Sequence, residues 1–304
     1  MRKLLIILII LVISTPFLSC QTAGSVNDGE KSIVVTYSIL GSIVKELVGD
    51  QAKVTISIPN GLDLHEWEPS AKDIEAINKA DLVIQNGLDL EGGMEKTLWT
   101  AQKNGVRFFT ATDHIKIRHI GISEGIPSGD PDQTEGAPDP HLWTDPLAIK
   151  SVVRALAEEL KQVLNIDITN QAINLENRLD ALDKEINNIV SSIPQANRKL
   201  VTGHESMGYF AQRYGFKVIG IIIPSLSTQA EVSAANLAAL KKTIEDNQVK
   251  AIFAELGTSM AVAKTLGNET GVQVVELSTH ILPADDSYFT FLSDFATTIA
   301  NALK

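Results

Sequence analysis

A single cysteine in 304 residues leaves no partner for an intramolecular disulfide and no thiolate cluster to hold a metal. Basic side chains are also few: 26 Lys and Arg stand against 37 Asp and Glu, a formal net charge of −11. No basic stripe is present, which excludes a nucleic-acid partner, while an acidic field favours the approach of cations. The His-Glu-x-x-His pair, the nucleophile elbow and the Walker loop are all missing, and with them the common signatures of metalloprotease, hydrolase and nucleotide chemistry. What is there is the composition of a folded globular protein, 44% hydrophobic and 21% charged, long enough for two lobes of ordinary size.

Long apolar runs are confined to the start of the chain. Arg2 and Lys3 precede an apolar stretch from Leu4 to Ile13, and a short segment then leads to Cys20, in the order of a secretory signal. The stretch is shorter than the roughly 20 residues that a membrane span needs. Cys20 at its end resembles a bacterial lipobox, with Phe17 where such boxes usually carry leucine. That resemblance implies cleavage before Cys20 and a lipid anchor on it. Residues 1–19 are therefore read as signal peptide and 20–32 as a polar, lipidated tether.

From Ile33 onward, β-branched runs alternate with helical patterns, the mark of parallel sheets wrapped by helices. Strands are expected at Ile33–Tyr37, Val54–Ile58, Leu82–Ile84 and Val106–Phe109, with helices near Ser42–Val48, Ser70–Asn78 and Gly92–Gln102. A second series has strands at Leu200-Val201, Val218–Ile223, Ala251–Phe253 and Val272–Val275, with helices near Ala230–Asn247, Met260–Thr270 and Phe289–Leu303. Between them, Ala172, Leu175, Leu179, Leu182, Ile186, Ile189 and Val190 recur at spacings of three and four, which predicts one helix of about 24 residues, roughly 36 Å long. The expected architecture is α/β with two lobes, residues 33–168 and 194–304, each a parallel sheet with flanking helices. One long helix over 169–193 joins them and permits only modest closure. The segment from His114 to Pro140 has little periodicity and is expected to be a mobile loop.

Four histidines, His65, His141, His204 and His280, sit where an apolar run gives way to polar or helix-starting residues, 76, 63 and 76 residues apart. Ligands in open parallel sheets bind beyond the carboxyl ends of the strands. Loops from both lobes would then bring the four imidazoles into the cleft between them, a set that suits tetrahedral zinc and lacks the oxygen donors that manganese and calcium favour. Glu66, Glu205 and Glu255 lie beside these ligands or at a strand end and are candidates to orient the rings.

Leu64-His65-Glu66-Trp67-Glu68-Pro69, Asn86-Gly87-Leu88, Asp139-Pro140-His141-Leu142-Trp143 and Val201-Thr202-Gly203-His204 with Gly208-Tyr209-Phe210-Ala211 resemble the zinc/manganese solute-binding lipoproteins of ABC transporters, over the chain from about Ile33 onward. The resemblance implies a divalent metal between two lobes, with His65, His141 and His204 as three ligands. The family's fourth ligand is usually an aspartate; the matching stretch here is Ser278-Thr279-His280-Ile281, so either His280 replaces it or Asp285 or Asp286 supplies an oxygen. It also implies an extracytoplasmic zinc receptor, monomeric and lipid-anchored, that serves an ABC permease and its ATPase and performs no catalysis. The alternatives are a manganese-type protein, an adhesin-like lipoprotein or a zinc-dependent hydrolase. Family members often carry a His-rich insertion near the 114–140 segment; with only His114 and His119 here, a solvated loop is expected.

Overall fold

Strands whose two alternations are both apolar must be covered on both faces, and helices following each strand supply that cover. The computed structural model describes residues 30–121, 124, 136–229 and 231–304. The signal segment, Cys20, most of the tether and the middle of the 114–140 segment lie outside the described residues. The chain begins with β1 (Ser32–Tyr37), α1 (Ser38–Val48), β2 (Lys53–Ile58), α2 (Ala71–Lys79), β3 (Leu82–Gln85), α3 (Glu95–Lys103) and β4 (Phe108–Thr110). The four strands form one parallel sheet in the order β2-β1-β3-β4, with Ile33 opposite both Val54 and Leu82. Ser70 caps α2 through a reciprocal box, its hydroxyl accepting from the Asp73 N–H while the Asp73 carboxylate accepts from the Ser70 N–H. Helix α1 starts at Ser38, four residues before the expected Ser42, because the chain turns helical directly off β1.

Two long helices follow, α4 (Pro146–Leu164) and α5 (Thr169–Ser191). The sequence marks only the start of α4; the structure carries it for 19 residues, from an Asp145 cap and Pro146 in the first turn to Asn165, which closes it in the left-handed conformation. Helix α5 covers the residues expected to form one long helix, and it buries Ala172, Leu175, Leu179, Leu182, Ile186 and Val190.

The second lobe consists of β5 (Lys199–Thr202), α6 (Gly208–Tyr214), β6 (Lys217–Ile221), α7 (Ala234–Asn247), β7 (Ala251–Ala254), α8 (Met260–Thr270), β8 (Gln273–Glu276) and α9 (Tyr288–Leu303). Its strands make two parallel pairs, β5 with β6 and β7 with β8, with β5 beside β7 but no continuous ladder across them. Helix α7 starts at Ala234, not Ala230, because the Ser233 hydroxyl accepts from the Asn236 N–H and sets the boundary there.

Helix α5 is not a lone strut. It lies between α4 and α9, pinned to α4 by Lys150 on Asp180 at 2.7 Å and by the Arg154–Glu176 pair. One apolar core runs without a break from Ile33 through α4 and α5 to Leu303, so the two lobes share it. A smaller cluster of Val201, Ile222, Leu240, Ile244, Ile252 and Leu266 fills the space between the second lobe's strands and α7 and α8.

Candidate metal centre

Each of the four histidines is fixed by its own loop before any ion is considered. His65 ends a turn after β2 in which the Asp63 carboxylate accepts from the His65 N–H at 2.9 Å. Its carbonyl receives the Gln229 side-chain amide from the other lobe, also at 2.9 Å. His141 is held by one oxygen: Asp139 Oδ1 accepts from both the His141 backbone N–H and the ring Nδ1–H, each at 2.9 Å. That bond sets the tautomer and leaves Nε2 free to ligate. Asn86 steadies the same turn by donating to the Pro140 carbonyl at 2.9 Å.

In the second lobe, His204 follows β5, and Glu255 at the end of β7 accepts from its N–H at 3.0 Å and from the Ser206 hydroxyl at 2.6 Å. Glu255 Oε1 also lies 3.4 Å from His204 Nδ1. Gly203 permits this approach, since a methyl there would sit 2.5 Å from Glu255 Cγ. His280 Nδ1 is hydrogen-bonded to Thr279 Oγ1 at 2.9 Å, and Trp143 Nε1–H, donating to the Thr279 carbonyl at 2.7 Å, ties that turn to the His141 loop.

The four rings meet in one buried cluster. Neighbouring centroids are 5.1 to 5.6 Å apart, and His65 Nε2 and His141 Nε2 are 3.4 Å apart. Zinc–nitrogen bonds of about 2.0–2.1 Å in a tetrahedron place neighbouring nitrogens roughly 3.3 Å from one another, so this pair already has the spacing of two ligands. Donor atoms of His65, His141 and His204 all lie within 4.8 Å of one another, as do those of His204, Glu255 and His280. His204 belongs to both sets. Both ring nitrogens of His204 and Nε2 of His280 are buried without a hydrogen-bond partner, an arrangement that costs free energy unless something fills it.

Electrostatics keep most of these rings neutral. Burial, reinforced by the neighbouring imidazoles, pushes His65 well below the usual histidine range and His280 down to about 4. Burial also lowers His141, against the opposing pull of Asp139. His204 is the exception: burial works against its charged form, but Glu255 prevails and raises it. Burial likewise disfavours the Glu255 carboxylate, yet His204, His280 and the Ser206 hydroxyl hold it well below the usual carboxylate range.

The other sequence candidates separate cleanly. Asp285 and Asp286 are exposed; Asp285 accepts from the Ser287 N–H and the Thr290 hydroxyl at the start of α9, so neither aspartate stands beside the imidazoles. Glu66 is exposed and orients nothing. Glu205 is buried but points away from the rings toward Arg118, and burial pushes its carboxyl well above the usual range. His114 stacks on Phe109 at 4.5 Å on the surface, and His119 is exposed in a bridge to Pro138. That bridge corrects the expectation for the 114–140 segment: its described ends form a short stem in which Ile120 and Asp139 donate backbone bonds to Ala137 and Arg118. Arg118 in the stem and the orienting role of Asp139 were not marked by any sequence signal beyond the Asp-Pro-His tripeptide.

A family model described as ZnuA, zinc-uptake complex component A periplasmic, matches residues 33–302. The zinc-binding lipoprotein AdcA of Streptococcus pneumoniae serotype 4 is 34% identical over 259 residues, which cover 81% of this chain and 49% of AdcA. The chain thus spans about half the length of that relative. The manganese-binding lipoprotein MntA of Halalkalibacterium halodurans is 26% identical over 90% of this chain and 88% of its own. Among solved structures, the periplasmic zinc binding protein TroA from Treponema pallidum superposes with a TM-score of 0.78 at 26% identity, covering 90% of this chain and 99% of TroA.

Proposed function

Because the chain belongs to the ZnuA family of zinc-uptake components, we propose that it is an extracytoplasmic receptor that captures zinc in the cleft between its lobes and delivers it to an ABC permease driven by an ATPase. The observation that carries this reading is the buried cluster of His65, His141, His204 and His280, with three ring nitrogens, both of His204 and Nε2 of His280, that have no hydrogen-bond partner. Zinc is the cargo, and the four imidazoles are its ligands. Asp139 holds the ring of His141 through Nδ1, and Glu255 holds the His204 backbone with its carboxylate 3.4 Å from the ring, so both ligand loops are positioned before an ion arrives. Four protein donors complete a tetrahedron and leave no position for an activated water, which argues for transport over hydrolysis. Lipidation at Cys20 anchors the receptor to the membrane surface, and residues 33–168 and 194–304 act as a single monomeric clamp about the 169–193 helix.

Manganese is the second reading, favoured by one observation: Glu255 places a carboxylate in the His204–His280 set and offers the oxygen donor that manganese prefers. The test is a competition titration of zinc and manganese on the metal-stripped full-length protein, alongside His280→Ala. Zinc binding of one ion per chain that displaces manganese and weakens in the variant supports the four-histidine receptor. A manganese preference with an indifferent variant overturns both the metal and the fourth ligand.

A further inference from the structure

Arg118 is a buried guanidinium whose contacts join the two lobes. It leaves the stem after β4, on the first lobe, and its Nη1 donates to Asp139 Oδ2 at 2.8 Å while lying 3.5 Å from Glu205 Oε1. Its Nη2 pairs with Glu124, and its backbone N–H donates to the Tyr209 hydroxyl at 3.0 Å. Asp139 is the residue that fixes the His141 ring, and Glu205 directly follows His204. One guanidinium therefore touches the carboxylate behind a ligand of one lobe and the chain neighbour of a ligand in the other. Gly208, the first residue of α6, makes this possible: a methyl there would collide with the guanidinium and stand 2.6 Å from Asp139 Oδ2. The Arg118–Asp139 pair is thus pressed flat against the backbone of the opposite lobe.

We propose that Arg118 is a positioning residue that clasps the two lobes across the cleft, holding His141 and His204 at ligand spacing and slowing the escape of bound zinc. The proposal rests on the receptor reading above. Asp139 supplies the orientation, and Arg118 supplies the register between lobes. The buried carboxyl group of Glu205 makes no hydrogen bond, so its contribution is to face the guanidinium. A long side chain with five fixed donors suits this work better than lysine, whose single ammonium cannot address carboxylates in different directions at once.

The experiment follows zinc release from the loaded full-length protein to an excess of chromophoric chelator. It compares wild type with Arg118→Gln, Arg118→Lys, Glu205→Gln, Gly208→Ala and the Arg118→Gln/Glu205→Gln double variant. Arg118→Gln is expected to release zinc up to about 10-fold faster, the low end of what loss of a ligand's own outer partner costs, because Arg118 acts on His141 through Asp139. Arg118→Lys should recover part of the loss. The double variant should release no faster than Arg118→Gln alone, because both changes break one contact. Gly208→Ala disturbs the same seat without altering any charge and should also speed release, which keeps the test intact if Arg118→Gln does not fold. Unchanged release in Arg118→Gln and Gly208→Ala, with wild type loading one zinc, overturns the clasp and leaves the receptor standing. A wild-type protein that loads no zinc overturns the receptor itself.

Discussion

Replacing Asp139 by asparagine isolates the hydrogen bond that fixes a ligand. In the native structure Asp139 Oδ1 accepts from the His141 N–H and Nδ1–H at 2.9 Å each, and Oδ2 accepts from Arg118 at 2.8 Å. Asparagine keeps the shape and can still offer one oxygen, so the turn survives; what disappears is the charge that polarises the ring and pairs with the guanidinium. Outer partners of metal-bound histidines change affinity by about 10- to 100-fold, which corresponds to roughly 1.4–2.7 kcal/mol of binding. A separate cost falls on the fold, because Arg118 stays buried with one ion-pair partner fewer, and breaking a buried pair costs about 3–5 kcal/mol. Two assays divide these effects: chelator-competition titration for zinc affinity, and denaturant unfolding of the metal-free protein for stability. Zinc affinity within about threefold of wild type, in a variant that folds, would refute the claim that Asp139 acts through the His141 ring.

At the fourth ligand position, His280→Ala should weaken zinc binding strongly whereas Asp285→Ala and Asp286→Ala should leave it unchanged; the same competition titration decides. For pH, His204 is raised above the ordinary histidine value while His280 is lowered to about 4, so the proton on His204 is the first competitor as pH falls. Zinc affinity should therefore drop about tenfold per pH unit below the His204 pKa, and more steeply only in stronger acid, as a plot of log Kd against pH will show. The metal-free fold has its own dependence. His280, with its folded pKa depressed, contributes stability that is complete above its unfolded value of about 6.5 and is lost as pH falls toward about 4. His204 acts in the opposite sense, stabilising below its unfolded value and losing that contribution as pH rises through its folded one. Stability curves at several pH values should show the acid loss shrink in His280→Ala. In α5, the fully buried Leu179→Ala should cost about 2–5 kcal/mol in urea unfolding with zinc stoichiometry unchanged, since no residue of α5 belongs to either donor set.

Much of the fold was legible because its signals are local. Runs such as Ile33-Val34-Val35 and Leu82-Val83-Ile84 are apolar on both alternations, and their chain positions agree with β1 and β3 within a residue. The periodic stripe from Ala172 to Val190 located α5 equally well. The four histidines were visible because each stands at the end of an element, and the structure brings them into one cluster. What escaped depends on contacts far apart in the chain. Glu255 was readable as a candidate at a strand end, but that it reaches His204, 51 residues away, was not, and the contact of Arg118 with Tyr209 across 91 residues likewise leaves no trace in spacing. Arg118 also sits in a stretch without periodicity, where a buried guanidinium looks the same as a solvated one. The division of the second lobe into two strand pairs is likewise a matter of tertiary packing, which four similar apolar runs do not specify.

Helix α9 packs on α5 and α1, the Tyr288 hydroxyl donates to the Trp143 carbonyl, and the Ser42 hydroxyl donates to the Asp286 carbonyl. The first lobe therefore lacks part of its wall until the last 16-residue helix has been made. Contacts of such sequence separation form late and slowly during folding. The wall of the first lobe is thus finished by the far end of the chain, so removing the last helix should unsettle the amino-terminal lobe as well as the carboxyl-terminal one.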